Sequence, residues 1–279
     1  YVLDITNPDL PRFVWALENS FEDNKQFSNT KNDNTGVSVW IGSNGPVSAD
    51  AKYAYENLRK TGSTGFIGFY KSNDGTGEKR NWVFLMGNGA EPGNTGFQEA
   101  EVFVGKVSDG TLVKSILSPI SGQKGNIVTP VAVPLSSTKE PRHIESFYVG
   151  DSMGRIFKGT LPSDVGNWKM ETLFSLGGTS GMSYSLDVAT LNTSRGEEVW
   201  LFAGTGDLEN FVVPRGSDKD EYFFAINTQK ISSNDPISKL ENVSNLAADA
   251  PSTNEKGWYL FFPKASGERI TTAPVIVNG

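Results

Sequence analysis

Trp82-Val-Phe-Leu-Met-Gly-Asn-Gly89, Phe147-Tyr-Val-Gly-Asp151 and Trp200-Leu-Phe-Ala-Gly-Thr-Gly-Asp207 are three forms of one phrase. Each is an apolar run that stops at Gly and a small polar residue. Runs rich in aromatic and β-branched residues, bounded by turn formers, read as buried strands. A second apolar run follows each one: Val102-Phe-Val-Gly-Lys-Val107, Ile156-Phe-Lys-Gly-Thr160 and Tyr222-Phe-Phe-Ala-Ile226. A further strand precedes the last two, at Thr129-Pro-Val-Ala-Val133 and Ser183-Tyr-Ser-Leu-Asp-Val188, and Thr272-Ala-Pro-Val-Ile-Val277 opens another copy. The recurrence of roughly 55–65 residues suits propeller blades with loop insertions. A four-stranded blade cannot cover both of its apolar faces, so blades must lean on one another around an axis. The glycines fit tight turns beside a crowded centre. The fold class is therefore all-β: part of the blades of a quinoprotein-like β-propeller, with a short helical insertion. A β-sandwich, which also uses many short strands, is the competing architecture.

Outward from that phrase, strands are expected at Tyr1–Ile5, Phe13–Leu17, Phe66–Tyr70, Thr111–Ile116, Lys169–Leu173 and Trp258–Phe262. One helix is expected over Ser48–Lys60: Ser48 is a plausible N-cap, an acid lies in the first turn, bases lie in the last, and Gly62 stops it. Residues 1–279 read as one propeller domain or a fragment of one, with insertions near 19–65 and 232–254. Binding function tends to sit on such insertions. The start at Tyr1 and the cut-short final strand read as an internal piece of a longer protein.

Composition narrows the chemistry. Lys and Arg number 25 against 32 Asp and Glu, a net charge of −7, which repels a nucleic-acid backbone. No run reaches the roughly 18 apolar residues of a membrane helix. The absence of cysteine removes thiolate zinc sites, iron–sulfur clusters, cysteine nucleophiles and disulfides. The single histidine, His143, leaves no His-rich metal centre and is expected to lie exposed in a charged turn. Gly204-Thr-Gly206 lacks the third glycine and the helix of a dinucleotide fingerprint, and no nucleophile elbow is present. No catalytic residue is assigned.

Two classes of binding site remain. Calcium loops need Asp or Asn at alternating positions around Gly. Ser72–Glu78 and Asn29–Asn34 carry some of these residues without the full spacing, and read as polar turns. Sugar binding uses exposed aromatic rings; Trp15, Trp82, Trp200 and Trp258 lie in strands and read as blade packing, which leaves Trp40, Tyr53 and Tyr55 as the exposed candidates.

Five segments, in order, resemble the C-terminal β-propeller of the type IV pilus biogenesis and tip-adhesin family, PilC/PilY. They are Tyr1-Val-Leu-Asp-Ile-Thr-Asn-Pro8 with Phe13-Val-Trp15, Trp82–Gly89, Tyr148-Val-Gly-Asp-Ser-Met-Gly-Arg-Ile-Phe157, Leu201-Phe-Ala-Gly-Thr-Gly206, and Gly267-Glu-Arg-Ile-Thr-Thr-Ala-Pro274. The resemblance implies a non-enzymatic, exported protein at the pilus tip or bacterial outer surface. It would work there with minor pilins and the tip complex in pilus assembly, retraction control and adhesion to a host or abiotic surface. The family often carries a calcium loop just before the Tyr-Val-Gly-Asp strand. Here that stretch is Ser137-Thr-Lys-Glu-Pro-Arg-His-Ile-Glu145, where only Glu145 keeps an acid at a ligand position. Lys139 and Arg142 repel a dication, so the loop, 137–145, reads as degenerate and calcium as a doubtful cofactor. The alternatives are a quinoprotein-like propeller oxidoreductase and a sugar-binding propeller without pili.

Overall fold

The computed structural model describes the backbone at 2–4, 12–19, 37–41 and 46–47. Backbone and side chains are described at 55, 58, 65–73, 75–89, 99–119, 125–134, 140–177, 181–182, 186–194, 196–206, 220–233, 235–245, 254–266, 268, 270 and 272–275. Strands fall into four sheets, each built from consecutive stretches of chain. Sheet 1 holds β1 (Val2–Asp4), β2 (Arg12–Asn19), β3 (Val37–Ile41) and β4 (Pro46–Val47). Sheet 2 holds β5 (Phe66–Asn73), β6 (Glu78–Gly87), β7 (Glu101–Lys106) and β8 (Leu112–Leu117). Sheet 3 holds β9 (Ser146–Gly150), β10 (Arg155–Thr160) and β11 (Lys169–Ser175). Sheet 4 holds β12 (Asp187–Thr193), β13 (Gly196–Gly204), β14 (Glu221–Asn227), β15 (Glu241–Asn242) and β16 (Gly257–Phe262), with β16 between β14 and β15. All neighbours pair antiparallel except β15 and β16.

Strand alternation decides the architecture, because successive side chains point to opposite faces. In sheet 2, Val83, Leu85, Val102 and Val104 bury one face together with Phe147, Val149 and Phe157 of sheet 3. Phe84 and Phe103, one step out of phase, bury the other face with Tyr55 and Leu58. In sheet 3, Tyr148, Ile156 and Phe174 turn away from sheet 2 and meet Leu201, Ala203, Phe224 and Ile226 of sheet 4. Sheet 3 is thus a filling between two neighbours, and sheets 2, 3 and 4 stack in chain order. A two-layer sandwich has no such middle member. These are propeller blades.

The joints between blades use the Gly of the repeated phrase. Gly87, Gly150 and Gly204 each face an apolar residue that begins the following segment: Ile127, Met182 and Ile270. Backbone bonds close each joint. Gly89 N–H donates to Ile127 O (2.9 Å), Met182 N–H to Asp151 O (3.1 Å), and Ile270 N–H to Thr205 O (3.1 Å). A Cβ at Gly87 or Gly204 would collide with the arriving residue, 2.4 Å from its side chain, while one at Gly150 would press on Met182 and Thr129 at 3.1 Å. Farther out, Lys114 on β8 reaches across to sheet 3, donating to the carbonyls of Val165 (2.8 Å), Gly166 (3.0 Å) and Trp168 (3.1 Å). Lys114→Met, which keeps the stem and removes the ammonium, is expected to cost on the order of 2 kcal/mol in denaturant unfolding.

Several expectations change. The strand expected at Thr129–Val133 is reduced to isolated bridges, Ile127 with Asp151 and Ala132 with Tyr148. Pro130 has no N–H to donate, and the Thr129 hydroxyl accepts the Gly150 N–H instead, at 2.8 Å. The strand expected at Ser183–Val188 starts at Asp187, and 183–185 lie outside the described residues. Residues 272–275 carry no strand. Two strands, β3 and β4, fall inside the stretch 19–65 and extend sheet 1, while β15 falls inside 232–254. Of the helix expected over Ser48–Lys60 only Tyr55 and Leu58 are described. The Leu58 N–H donates to Tyr55 O at 3.1 Å. Among the described residues the helical structure is two 3-10 turns, Val165–Asn167 and Ile237–Lys239.

Candidate functional site

The degenerate loop before β9 is clasped to sheet 2. Its segment 142–144 runs parallel to β5: Phe69 N–H donates to Arg142 O (2.9 Å) and Ile144 N–H to Phe69 O (2.8 Å). Such close approach needs Gly68, whose missing Cβ would stand 2.5 Å from Arg142 O and 2.7 Å from Ile144 Cδ1. Arg142 has φ 69°, the one positive value among the described non-glycine residues.

Side chains hold the same segment. Arg80 Nη2 donates to Glu140 Oε1 at 2.8 Å, and Lys71 Nζ lies 3.6 Å from Glu140 Oε2 and 2.8 Å from Glu78 Oε1. The register explains the cluster, because β5 and β6 place Lys71 opposite Arg80 and Phe69 opposite Trp82 on one face. Phe69 is nearly covered: His143 stacks on it (ring centroids 5.4 Å, 14°), Trp82 leans on it (5.4 Å), and the Arg80 guanidinium sits over it (5.4 Å). Trp82 is itself 50% exposed and Ile67, on the same face, 43%.

The Arg80 hydrogen bond, against the opposing effect of burial, holds the Glu140 carboxyl below its ordinary value. A carboxyl depressed in the folded state stabilises above its unfolded pKa, and that contribution disappears as pH falls through the folded one. Acid is therefore expected to loosen the clasp. In Glu140→Gln the acid limb of the Tm profile, between about pH 5 and 3, should flatten.

The Glu145 Oε1 lies 3.7 Å from His143 Nδ1, and the side chain is 50% exposed. Residues 137–139 of the loop lie outside the described residues. Among the described residues no three His, Asp or Glu side chains form a metal-binding group. Glu140, a second acid in the loop, is already engaged by Lys71 and Arg80, so the positive charge there is the protein's own.

Ring positions also depart from expectation. Tyr55, expected exposed, is 1% exposed, edge-on to Phe103, with its hydroxyl donating to Gly110 O at 2.8 Å. Trp82, expected inside a blade joint, faces solvent. His143, expected exposed, is 12% exposed because the bridge to β5 lays it against Phe69. The side chains of Trp15, Trp40 and Tyr53, and the Asn29–Asn34 turn, lie outside the described residues. In the Ser72–Glu78 turn, Asn73 Oδ1 accepts the Gly75 N–H at 3.1 Å and Glu78 pairs with Lys71, an ordinary polar hairpin end.

The Asp of the Tyr-Val-Gly-Asp element is wholly buried. Asp151 Oδ2 meets Arg155 Nε at 2.6 Å and Nη2 at 2.5 Å, and Oδ1 accepts the N–H groups of Met153 (3.0 Å) and Arg155 (2.8 Å). Burial pushes its carboxyl up, and Arg155 pulls it back. It is a brace for the β9–β10 hairpin rather than an open site.

Stacked sheets of three to five strands with glycine joints define a β-propeller. The structure is similar to the crystal structure of the Pseudomonas aeruginosa PilY1 C-terminal domain, with a TM-score of 0.54 and 13% identity over 82% of this chain. The chain spans 56% of that domain's length. No family model and no curated protein matches the sequence.

Proposed function

We propose that this chain is a non-enzymatic propeller of a type IV pilus system, exported to the bacterial surface. There it works with minor pilins at the pilus tip in assembly, retraction control and surface adhesion. The carrying observation is the PilY1-like fold over 82% of the chain. The ordered motifs at 1–15, 82–89, 148–157, 201–206 and 267–274 agree with it. The exposed Trp82 and Ile67, rimmed by Arg80, offer a contact surface of the amphipathic kind that interfaces favour.

Deleting the gene and counting surface pili tests the reading. Fewer pili and weaker attachment are expected, and normal piliation with normal attachment overturns it. Trp82→Ala in the restored gene should leave pilus number intact and reduce attachment several-fold.

The loop 137–145 is proposed not to bind calcium tightly, since Lys71 and Arg80 occupy Glu140 and Glu145 faces an imidazole. Calorimetric titration of the purified protein should show no sub-micromolar site. Such a site, lost in Glu145→Ala, would contradict this.

A further inference from the structure

The joint between sheets 3 and 4 is apolar beside the repeated glycine and turns polar one step farther along. On the face of sheet 3 that meets sheet 4, register sets Gly150, Ile156 and Phe174 in one row and Tyr148, Lys158 and Glu171 in the next. Ile156 and Phe174 of the first row are buried against sheet 4. At the second row the blades part. A cleft of about 520 Å³ opens there, lined by Lys158 of β10, Glu171 and Leu173 of β11, and Thr228, Ile231 and Ser233 of the turn after β14. That volume suits a small molecule. The walls are fixed in place. Leu173 is the extra residue of a bulge, between the pairs Ile156–Phe174 and Phe157–Thr172, and bulges re-aim side chains beside sites. The turn is tied down by Thr228 N–H on Val199 O (2.9 Å), Ile231 N–H on Asn227 O (3.0 Å) and Gln229 Nε2 on Glu197 O (2.9 Å).

The chemistry of the lining is mixed. Lys158 is half-buried, and among the described residues its ammonium has no ion-pair partner. Glu171 stands opposite it in register but lies with Lys169, at 3.3 Å. Lys230 adds a second cation to the turn, and Asp235 beyond it is taken by Lys256 at 2.6 Å. The cleft therefore carries uncompensated positive charge in a chain of net charge −7. The Tyr148 hydroxyl donates to Thr228 Oγ1 at 3.4 Å, which leaves the threonine proton for a ligand. A bare anion such as phosphate would meet the Glu171 carboxylate as well as Lys158. A ligand that joins a carboxylate to several hydroxyls suits both: the carboxylate pairs with Lys158, and hydroxyls donate to Glu171 and accept from Thr228 and Ser233. Leu173 and Ile231, each 8% exposed, supply an apolar patch for its C–H face. We propose that this cleft binds a hexuronate sugar. It lies apart from the Trp82 surface on sheet 2, and its test uses no pili, so it stands or falls independently of any pilus role.

The test is methyl NMR of the purified protein titrated with sodium D-glucuronate and D-galacturonate, with D-glucose and inorganic phosphate as comparison probes. The methyl signals of Leu173 and Ile231 should shift saturably with one of the uronates, with a Kd about tenfold or more below that for glucose. Phosphate should leave those signals in place. Lys158→Met, which keeps the stem and removes the ammonium, should weaken uronate binding by a similar factor and leave glucose binding unchanged, a split that misfolding would not produce. The proposal is overturned by absence of shifts with both uronates, by equal affinity for uronate and glucose, by displacement with phosphate, or by full uronate binding in Lys158→Met.

Discussion

Asp151→Ala should destabilise this propeller by on the order of 3–5 kcal/mol, with a fall in Tm of about 10 °C. The carboxylate is fully buried and takes four donated hydrogen bonds, two from the Arg155 guanidinium and two from backbone N–H groups of the turn. Removing it strands the Arg155 charge, 6% exposed, inside the fold. The penalty comes mostly from that uncompensated charge, not from the lost attraction. The double change Asp151→Ala with Arg155→Leu should therefore be milder than Asp151→Ala alone. Denaturant melts of the two variants decide it: a single variant within 1 kcal/mol of wild type, or a double variant as poor as the single, contradicts the account. The brace lies directly beside the joint, since Asp151 O also accepts the Met182 N–H. Loss of the pair should for that reason loosen sheet 4 on sheet 3 as well as the β9–β10 hairpin.

The blades were legible because each depends on a local pattern. An apolar run, a terminal Gly and a following apolar run mark β6, β9, β10, β13 and β14 within a residue or a few of their observed limits. Strands β3, β4 and β15 escaped notice. Val37–Ile41 joins sheet 1 by pairing with β2 across the polar stretch 20–36, and Glu241–Asn242 is too short to carry alternation. The site was less legible, because it is assembled by a distant pairing. Nothing in Lys139-Glu-Pro-Arg-His143 announces that His143 will lie along Phe69 some seventy residues earlier. His143 therefore looked exposed and Trp82 looked buried, when the bridge covers the first and the end of the β5–β6 hairpin presents the second. Sequence did contain one clue, Gly68 in the middle of an aromatic strand, where a missing side chain signals close approach of another backbone.

The second large effect concerns the joints, where Gly87→Ala and Gly204→Ala should each cost on the order of 1–3 kcal/mol by overpacking. The two differ in what the new methyl would strike. At Gly204 the nearest atoms all belong to the Ile270 side chain, which a smaller residue can clear. At Gly87 the methyl meets the Ile127 side chain and also its carbonyl oxygen, 2.6 Å away, which stays in place whatever residue is chosen at 127. That carbonyl accepts the Gly89 N–H, so moving it also strains a joint hydrogen bond. Adding Ile270→Ala to Gly204→Ala should recover most of the loss that the glycine change causes relative to Ile270→Ala alone. Adding Ile127→Ala to Gly87→Ala should recover only a part, measured against Ile127→Ala. These are double-mutant cycles on neighbouring residues, where coupling of this size is expected. Equal recovery at both joints would mean that backbone contact does not limit the approach of one blade to the next. No recovery at Gly204 would mean that its glycine serves something other than the Ile270 plug.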